Sequence, residues 1–214
     1  MLNCLKGKFI VLDGPDGCGK STQTALLAEY LKKQGIAVAV FRDPGSTAIG
    51  EKIRDILLDS KHSLMGDRTE LLLYMACRAQ LWQERIAPAL KEKKCVLLDR
   101  WLSSTCAYQG FASGLGIAKV IDIAKHSLER IWPDLTILLD VDLRTAKTRI
   151  KRKFDRMEKK SATYHKKVRA GFIELAEFRS DIVVIDASPD QQTVHKEIVR
   201  TIEKKQLRSK EIRN

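Results

Sequence analysis

The stretch VLDGPDGCGKSTQ, residues 11–23, decides the fold of this chain. Three glycines, one lysine and two hydroxyls crowd the end of an apolar run, where a buried core would otherwise continue. Gly14-Pro15-Asp16-Gly17-Cys18-Gly19-Lys20-Ser21 matches GxxxxGK[ST] at every fixed position, with a strand pattern before it and a helical pattern after it. Backbone N–H groups of such a loop converge on phosphate oxygens, and an inward Cβ would block them. The helix that starts at the loop turns its positive dipole end on the same phosphates. Lys20 is then placed to reach the outer phosphates and the Ser21 hydroxyl to meet Mg²⁺, with Thr22 following on the first turn. The loop lacks side chains because a triphosphate, ATP, takes their place. A glycine-rich turn without ligand is the bland alternative.

Outward from the loop, short apolar runs alternate with longer amphipathic ones. Residues 8–13, 37–41, 95–99, 135–141 and 182–187 are continuously apolar and rich in Val, Ile and Leu, which predicts strands buried on both faces of a parallel sheet. Helical patterns follow residue 20 up to Gly35, then over 48–59, 69–93, near 117–130, over 143–180 and over 190–207. Strand–helix alternation of this kind predicts an α/β, three-layer fold with a five-stranded parallel sheet between helices, here of the P-loop NTPase type. No repeat and no Pro/Gly/Ser-rich linker divides the chain, so one domain is expected over 1–214.

Hydrophobic residues make up 44% of the 214 and charged residues 31%, ordinary for a globular protein. The formal net charge of +12 calls for an anionic partner or a solvated basic surface. Its distribution is uneven. Lys147 to Arg169 holds eleven bases against Asp155 and Glu158, nine of the twelve net charges. The five cysteines form no CxxC pair, which predicts reduced thiols and no zinc site. No apolar run approaches the roughly 18 residues of a membrane span, and the start reads as a strand and not a cleavable signal. A cytoplasmic protein with no membrane partner is expected.

CVLLDRW ends a buried strand on Asp99, where the sheet edge beside the loop can hold Mg²⁺ or its waters. TILLDVD offers Asp140 as a rival, without the following arginine. FRDPGST (41–47), LLLYMACRAQ (71–80), LLDRWLSSTCAYQG (97–110) and PDLTILLDV (133–141) together resemble the thymidylate kinase family in order and spacing. The resemblance implies transfer of the γ-phosphoryl group of ATP to dTMP, with Mg²⁺, in a homodimer that binds no nucleic acid. It implies that Asp16 meets the acceptor's 3′-hydroxyl and that Arg42 and Arg100 grip its phosphate. Two guanidiniums there would neutralise an anion that otherwise repels ATP. Tyr74 and Arg78, four apart on a helix, would stack on the pyrimidine and donate to its carbonyl. Ser104, Thr105, Tyr108 and Gln109 align with the rest of that pocket, Tyr108 with the residue crowding the 2′ position.

The family also has a lid over ATP, expected here at about 147–160. Gly17 stands where some relatives carry a loop arginine, so the transferring arginine is expected from the lid, Arg149 or Arg152, in helical spacing with Arg156. Asp43, Ser46 and Trp101 depart from the family's usual residues. A kinase for another pyrimidine monophosphate and a nucleic-acid-stimulated ATPase are the rival readings. Cys18, among converging amides beside Lys20, is expected to be more acidic than a free thiol.

Overall fold

The run Phe9–Asp13 forms β1, the central strand of the computed structural model, which describes residues 2–205. β2 (Val38–Arg42), β3 (Cys95–Asp99), β4 (Leu135–Asp140) and β5 (Ile182–Asp186) complete a parallel sheet in the order β2-β3-β1-β4-β5. The chain leaves β1 first to one side and later to the other. The carboxyl ends of β1 and its neighbours therefore open a crevice, the usual ligand position in such sheets.

Alternate residues of the central strands feed two cores. Phe9, Val11, Val96, Leu98 and Leu138 face one helix layer, and Ile10, Leu12, Leu97, Ile137 and Leu139 the other. The first layer holds α3 (Asp67–Leu81), α5 (Leu102–Thr105), α6 (Ile117–Ser127) and α8 (Ala162–Glu177); the second holds α1 (Lys20–Lys33) and α9 (Gln191–Lys205). The expected five strands and three layers are thus present. Burial on both faces holds for β1, β3 and β4 but not for the edge strands, where Val40 and Val184 are each 43% exposed. Their apolar runs carried no mark of edge position.

Helix boundaries differ from the sequence reading in three places. α2 (Ala48–Leu58) ends as expected, but the long pattern over 69–93 is α3, a π-turn at Trp82–Ile86 and α4 (Ala87–Lys91) in succession. α5 continues as a π-helical turn, Cys106–Ala112, in a segment that the sequence reading treated only as a motif. The pattern over 143–180 is not one helix. α7 (Leu143–Arg149) stops at the extended Ile150, and α8 begins afresh behind the Ser161 cap, whose Oγ accepts from Tyr164 N at 3.1 Å. The missed signals were local: Asp155 caps its own turn by accepting from Met157 N and Glu158 N at 2.9 and 3.0 Å. The end of the helix expected over 190–207 lies outside the described residues.

Candidate active site

α1 begins at Lys20, and Gly19 (φ 96°) turns the loop into it. A Cβ on Gly19 would meet nothing within 4 Å, so the left-handed backbone and not crowding calls for glycine there. Gly17 (φ 81°) is glycine for a second reason: a Cβ would lie 2.2 Å from the Ala146 carbonyl oxygen of α7. The loop packs directly on the root of the lid, which leaves no room at residue 17 for an arginine.

Lys20 is almost buried, and its Nζ donates to the Gly14 and Pro15 carbonyls at 3.1 and 2.8 Å. The Ser21 hydroxyl donates to Asp99 Oδ2 at 2.6 Å. One hydroxyl and one carboxylate beside a phosphate loop suit a hard cation that draws its other ligands from phosphates and water. Among the described residues no cluster of three or more His, Cys, Asp or Glu could hold a metal without such help. Asp140 is otherwise engaged, in a bidentate pair with Arg169 at 2.7 and 2.7 Å.

A cavity of about 870 Å³ at the carboxyl edge of the sheet collects every expected site residue except Gly14 and Pro15, which lie beneath it and present their carbonyls to Lys20. On one side stands Arg100, at φ 69°, in the left-handed region that a side chain adopts only when its surroundings compel it. Its guanidinium reaches the Asp16 carboxylate, the Gly14 carbonyl (2.9 Å) and Ser104 Oγ (2.8 Å). The Tyr108 hydroxyl donates to the other Asp16 oxygen at 2.8 Å. Burial alone would push the Asp16 carboxyl up; Arg100, then Lys20 and the Tyr108 hydroxyl, more than reverse this and hold it at about 2. Asp16 is an anion at neutral pH.

The opposite wall comes from α3. Tyr74 and Arg78 share one of its faces and both line the cavity. Arg78 is 1% exposed, and Asp43 Oδ2 accepts from its Nε and one terminal nitrogen at 2.9 and 2.5 Å. The same nitrogen donates to Thr105 Oγ1 at 3.1 Å. Its other terminal nitrogen meets only the Met75 sulfur at 3.6 Å among the described residues, which leaves one of its donors available. Burial pushes the Tyr74 phenol up, which keeps it neutral. Arg42, at the rim, pairs with Glu51 at 2.7 Å. Gln109 Nε2 donates to the buried Glu70 at 2.7 Å.

The segment expected to form a lid, about 147–160, corrects the expectation of a helical arginine row. Because α7 ends at Arg149, Arg149, Arg152 and Arg156 share no helix face. Arg149 donates to the Ala187 and Ser188 carbonyls at 2.8 and 3.1 Å. Arg152 pairs with both oxygens of Glu158, at 2.8 and 2.7 Å. Arg156 is buried on Glu70 (2.5 Å) and the Leu57 carbonyl (2.7 Å), so it anchors the lid instead of facing the cavity. Cys18 is a second correction. Burial pushes its thiol up and outweighs Lys20, so it is less acidic than a free thiol. Sequence reasoning also missed Asp13 and Asp43, two buried carboxylates; "acid at a strand end", the signal that singled out Asp99, applies to both.

The family model described as Thymidylate kinase matches residues 12–198. A thymidylate kinase of Thermoanaerobacter sp. (strain X514) is 49% identical over 202 residues, covering 94% of this chain and 99% of that one. That of Kosmotoga olearia is 44% identical over 195 residues, covering 90% and 93%. The crystal structure of thymidylate kinase from Ehrlichia chaffeensis superposes with a TM-score of 0.76 at 31% identity, covering 92% of this chain and 98% of that one. A phosphate loop, an Asp-Arg strand end and an α3 wall meet in one cavity, and the match runs through all of them. The chain belongs to the thymidylate kinase family.

Proposed function

We propose that this chain transfers the γ-phosphoryl group of ATP to dTMP, giving dTDP and ADP, as a single cytoplasmic kinase domain that works as a homodimer. The observation that carries the reading is the single cavity in which the Lys20 loop and the Arg100–Asp16–Tyr108 cluster face one another. Two anionic substrates need opposed cationic seats. Lys20 and the amides of the Gly14–Thr22 loop beyond Pro15 serve the donor, and Arg42 and Arg100 serve the acceptor phosphate. Tyr74 stacks on the base, and the remaining donor of Arg78 meets a base carbonyl. Thr105, Gln109 and Ser104 shape the walls around it, and Tyr108 closes the sugar's side.

Ser21 and Asp99 would hold Mg²⁺, which supplies charge neutralisation between donor phosphates when bound. An acceptor phosphate oxygen attacks the γ-phosphorus, and the bond to the β–γ bridging oxygen breaks. Arg100 and Lys20 stabilise the charge spread on the transferring oxygens, joined by a lid arginine.

ADP release measured across dTMP, dUMP, CMP and UMP tests the assignment. The expected order is dTMP first. The 5-methyl group gives dTMP an advantage in kcat/KM of about 10–200-fold over dUMP, the usual worth of one methyl in an apolar pocket. Equal or better use of CMP or UMP would overturn it in favour of another pyrimidine monophosphate.

A further inference from the structure

α5 has no side-chain cap of its own: Trp101 precedes it and offers no acceptor. Four backbone N–H groups at a helix start need partners, and a buried start without them costs free energy. Here the partner comes from another element. Asp13, the last residue of β1, is 0% exposed. Its Oδ2 accepts from Trp101 N at 3.3 Å, Ser104 N at 3.0 Å and Ser103 Oγ at 2.5 Å. Its Oδ1 accepts from Ser104 Oγ at 2.6 Å and from Gly14 N at 2.8 Å, and lies 3.6 Å from an Arg100 terminal nitrogen.

One carboxylate therefore ties the first amide of the phosphate loop to the start of the segment that carries Arg100, Ser104, Thr105 and Tyr108. Asp13 itself does not line the cavity; Ser104 and Arg100, which it contacts, do. The buried charge explains how Arg100 is kept at φ 69°: its guanidinium is drawn toward Asp13 and Asp16, and the next backbone amide is bound to Asp13 as well. We infer that Asp13 is a positioning residue for the acceptor monophosphate, acting as the helix cap supplied across the sheet that fixes Arg100 and Tyr108 against Asp16. The inference rests on the proposed grip of Arg100 on the acceptor phosphate.

Aspartate suits this task better than its neighbours in chemistry. An asparagine at 13 keeps the size but turns an NH₂ toward donors, so at least one of five hydrogen bonds becomes a clash of like groups. A glutamate keeps the charge and moves it by one methylene. The segment's alignment is what the acceptor senses, whereas the donor phosphates meet amides further along the loop.

The experiment measures KM for dTMP, KM for ATP, kcat and thermal midpoint for Asp13→Asn, Asp13→Glu, Ser103→Ala and Arg100→Lys. Asp13→Asn is expected to raise KM for dTMP about 10–100-fold, the range for charged hydrogen bonds of roughly 1.5–3 kcal/mol. KM for ATP should change less than about threefold, and Asp13→Glu should recover most of the loss. Ser103→Ala, a milder change that guards against misfolding of the asparagine variant, should raise KM for dTMP about 3–10-fold. If kcat falls with both KM values unchanged, or if the thermal midpoint alone moves, Asp13 is only a structural cap and the inference fails. If both KM values rise together it also fails, because the loop and not the segment is then disturbed. Should Arg100→Lys leave KM for dTMP unchanged, the proposed acceptor grip is wrong. Should Arg100→Lys raise it while neither Asp13→Asn nor Ser103→Ala does, the grip stands and only Asp13 is misassigned.

Discussion

Asp16 carries a pH dependence that its position explains. Its carboxyl is held at about 2, below the ordinary value near 3.9: burial pushes it up, and Arg100, Lys20 and the Tyr108 hydroxyl together outweigh that push. A depressed acid stabilises the fold fully above its unfolded value and loses that contribution as pH falls through the folded value. Asp16 should thus add on the order of 2 kcal/mol at pH 6, fading between about pH 4 and pH 2. Urea unfolding of wild type and Asp16→Asn across that range checks the sign: the two curves should converge on acidification. Curves that stay parallel would mean that Arg100 does not perceive the Asp16 charge. Cysteine chemistry belongs to the same scale. Burial raises Cys77 to about 11 and Cys106 to about 12, and pushes Cys18 up, so none of these thiols offers a reactive thiolate near neutrality. Lys20 sits close to Cys18, at 3.6 Å, but proximity to one cation does not offset full burial.

At the scale of elements the lid divides its labour. Its far end is pinned: Arg156 to Glu70 and Leu57, and Lys159 to Ser60 at 2.9 Å, so the segment is anchored at the α2–α3 connection. Its near end is α7, packed on Gly17. Arg149, the last residue of α7, is held by carbonyls of the β5–α9 connection, whereas Arg152, between the two ends, is more than half exposed and lies within electrostatic range of Asp16. Arg152→Ala is therefore expected to lower the single-turnover transfer rate about 10³-fold or more with little change in dTMP affinity. Arg149→Ala should mainly weaken ATP. Measuring transfer and both affinities for the two variants decides it; the opposite split would make Arg149 the transferring group.

Beyond one chain, α2 and α3 pack together and leave an apolar face outward. Ile49 (53% exposed) and Ile56 (42%) lie seven apart on α2, and Leu72 (58%) lies on α3. This face is the expected seat of the proposed homodimer, beside the connection that anchors residues 156–159. Leu72→Glu should shift sedimentation from dimer to monomer and reduce turnover without altering far-UV circular dichroism. A wild type that sediments as a monomer at assay concentrations would remove the proposed dimer. Charge speaks at this scale too: the basic run is spent partly on internal pairs, Arg152 with Glu158, Arg156 with Glu70 and Arg169 with Asp140.

The sequence by itself determined the strands, the loop and the cavity's cast. GxxxxGKS is local chemistry, since the need for a bare backbone and a lysine is written into adjacent residues, and central strands announce burial by continuous apolar runs. Asp99 was legible as an acid at a strand end, whereas Asp16, Arg100, Tyr74 and Arg78 were legible through the resemblance of their motifs to the family. Only the tertiary structure decided what each charge is paired with. Asp13 and Trp101 are 88 residues apart, as Asp43 and Arg78 are 35 apart, so no window along the chain reveals that one caps or clamps the other. It also decided that Arg156 anchors, that the Cys18 thiol is buried and pushed up, and that the edge strands stand half in water. Electrostatic partnership and burial are properties of distance in space, and those distances exist only after the sheet has brought its strand ends together.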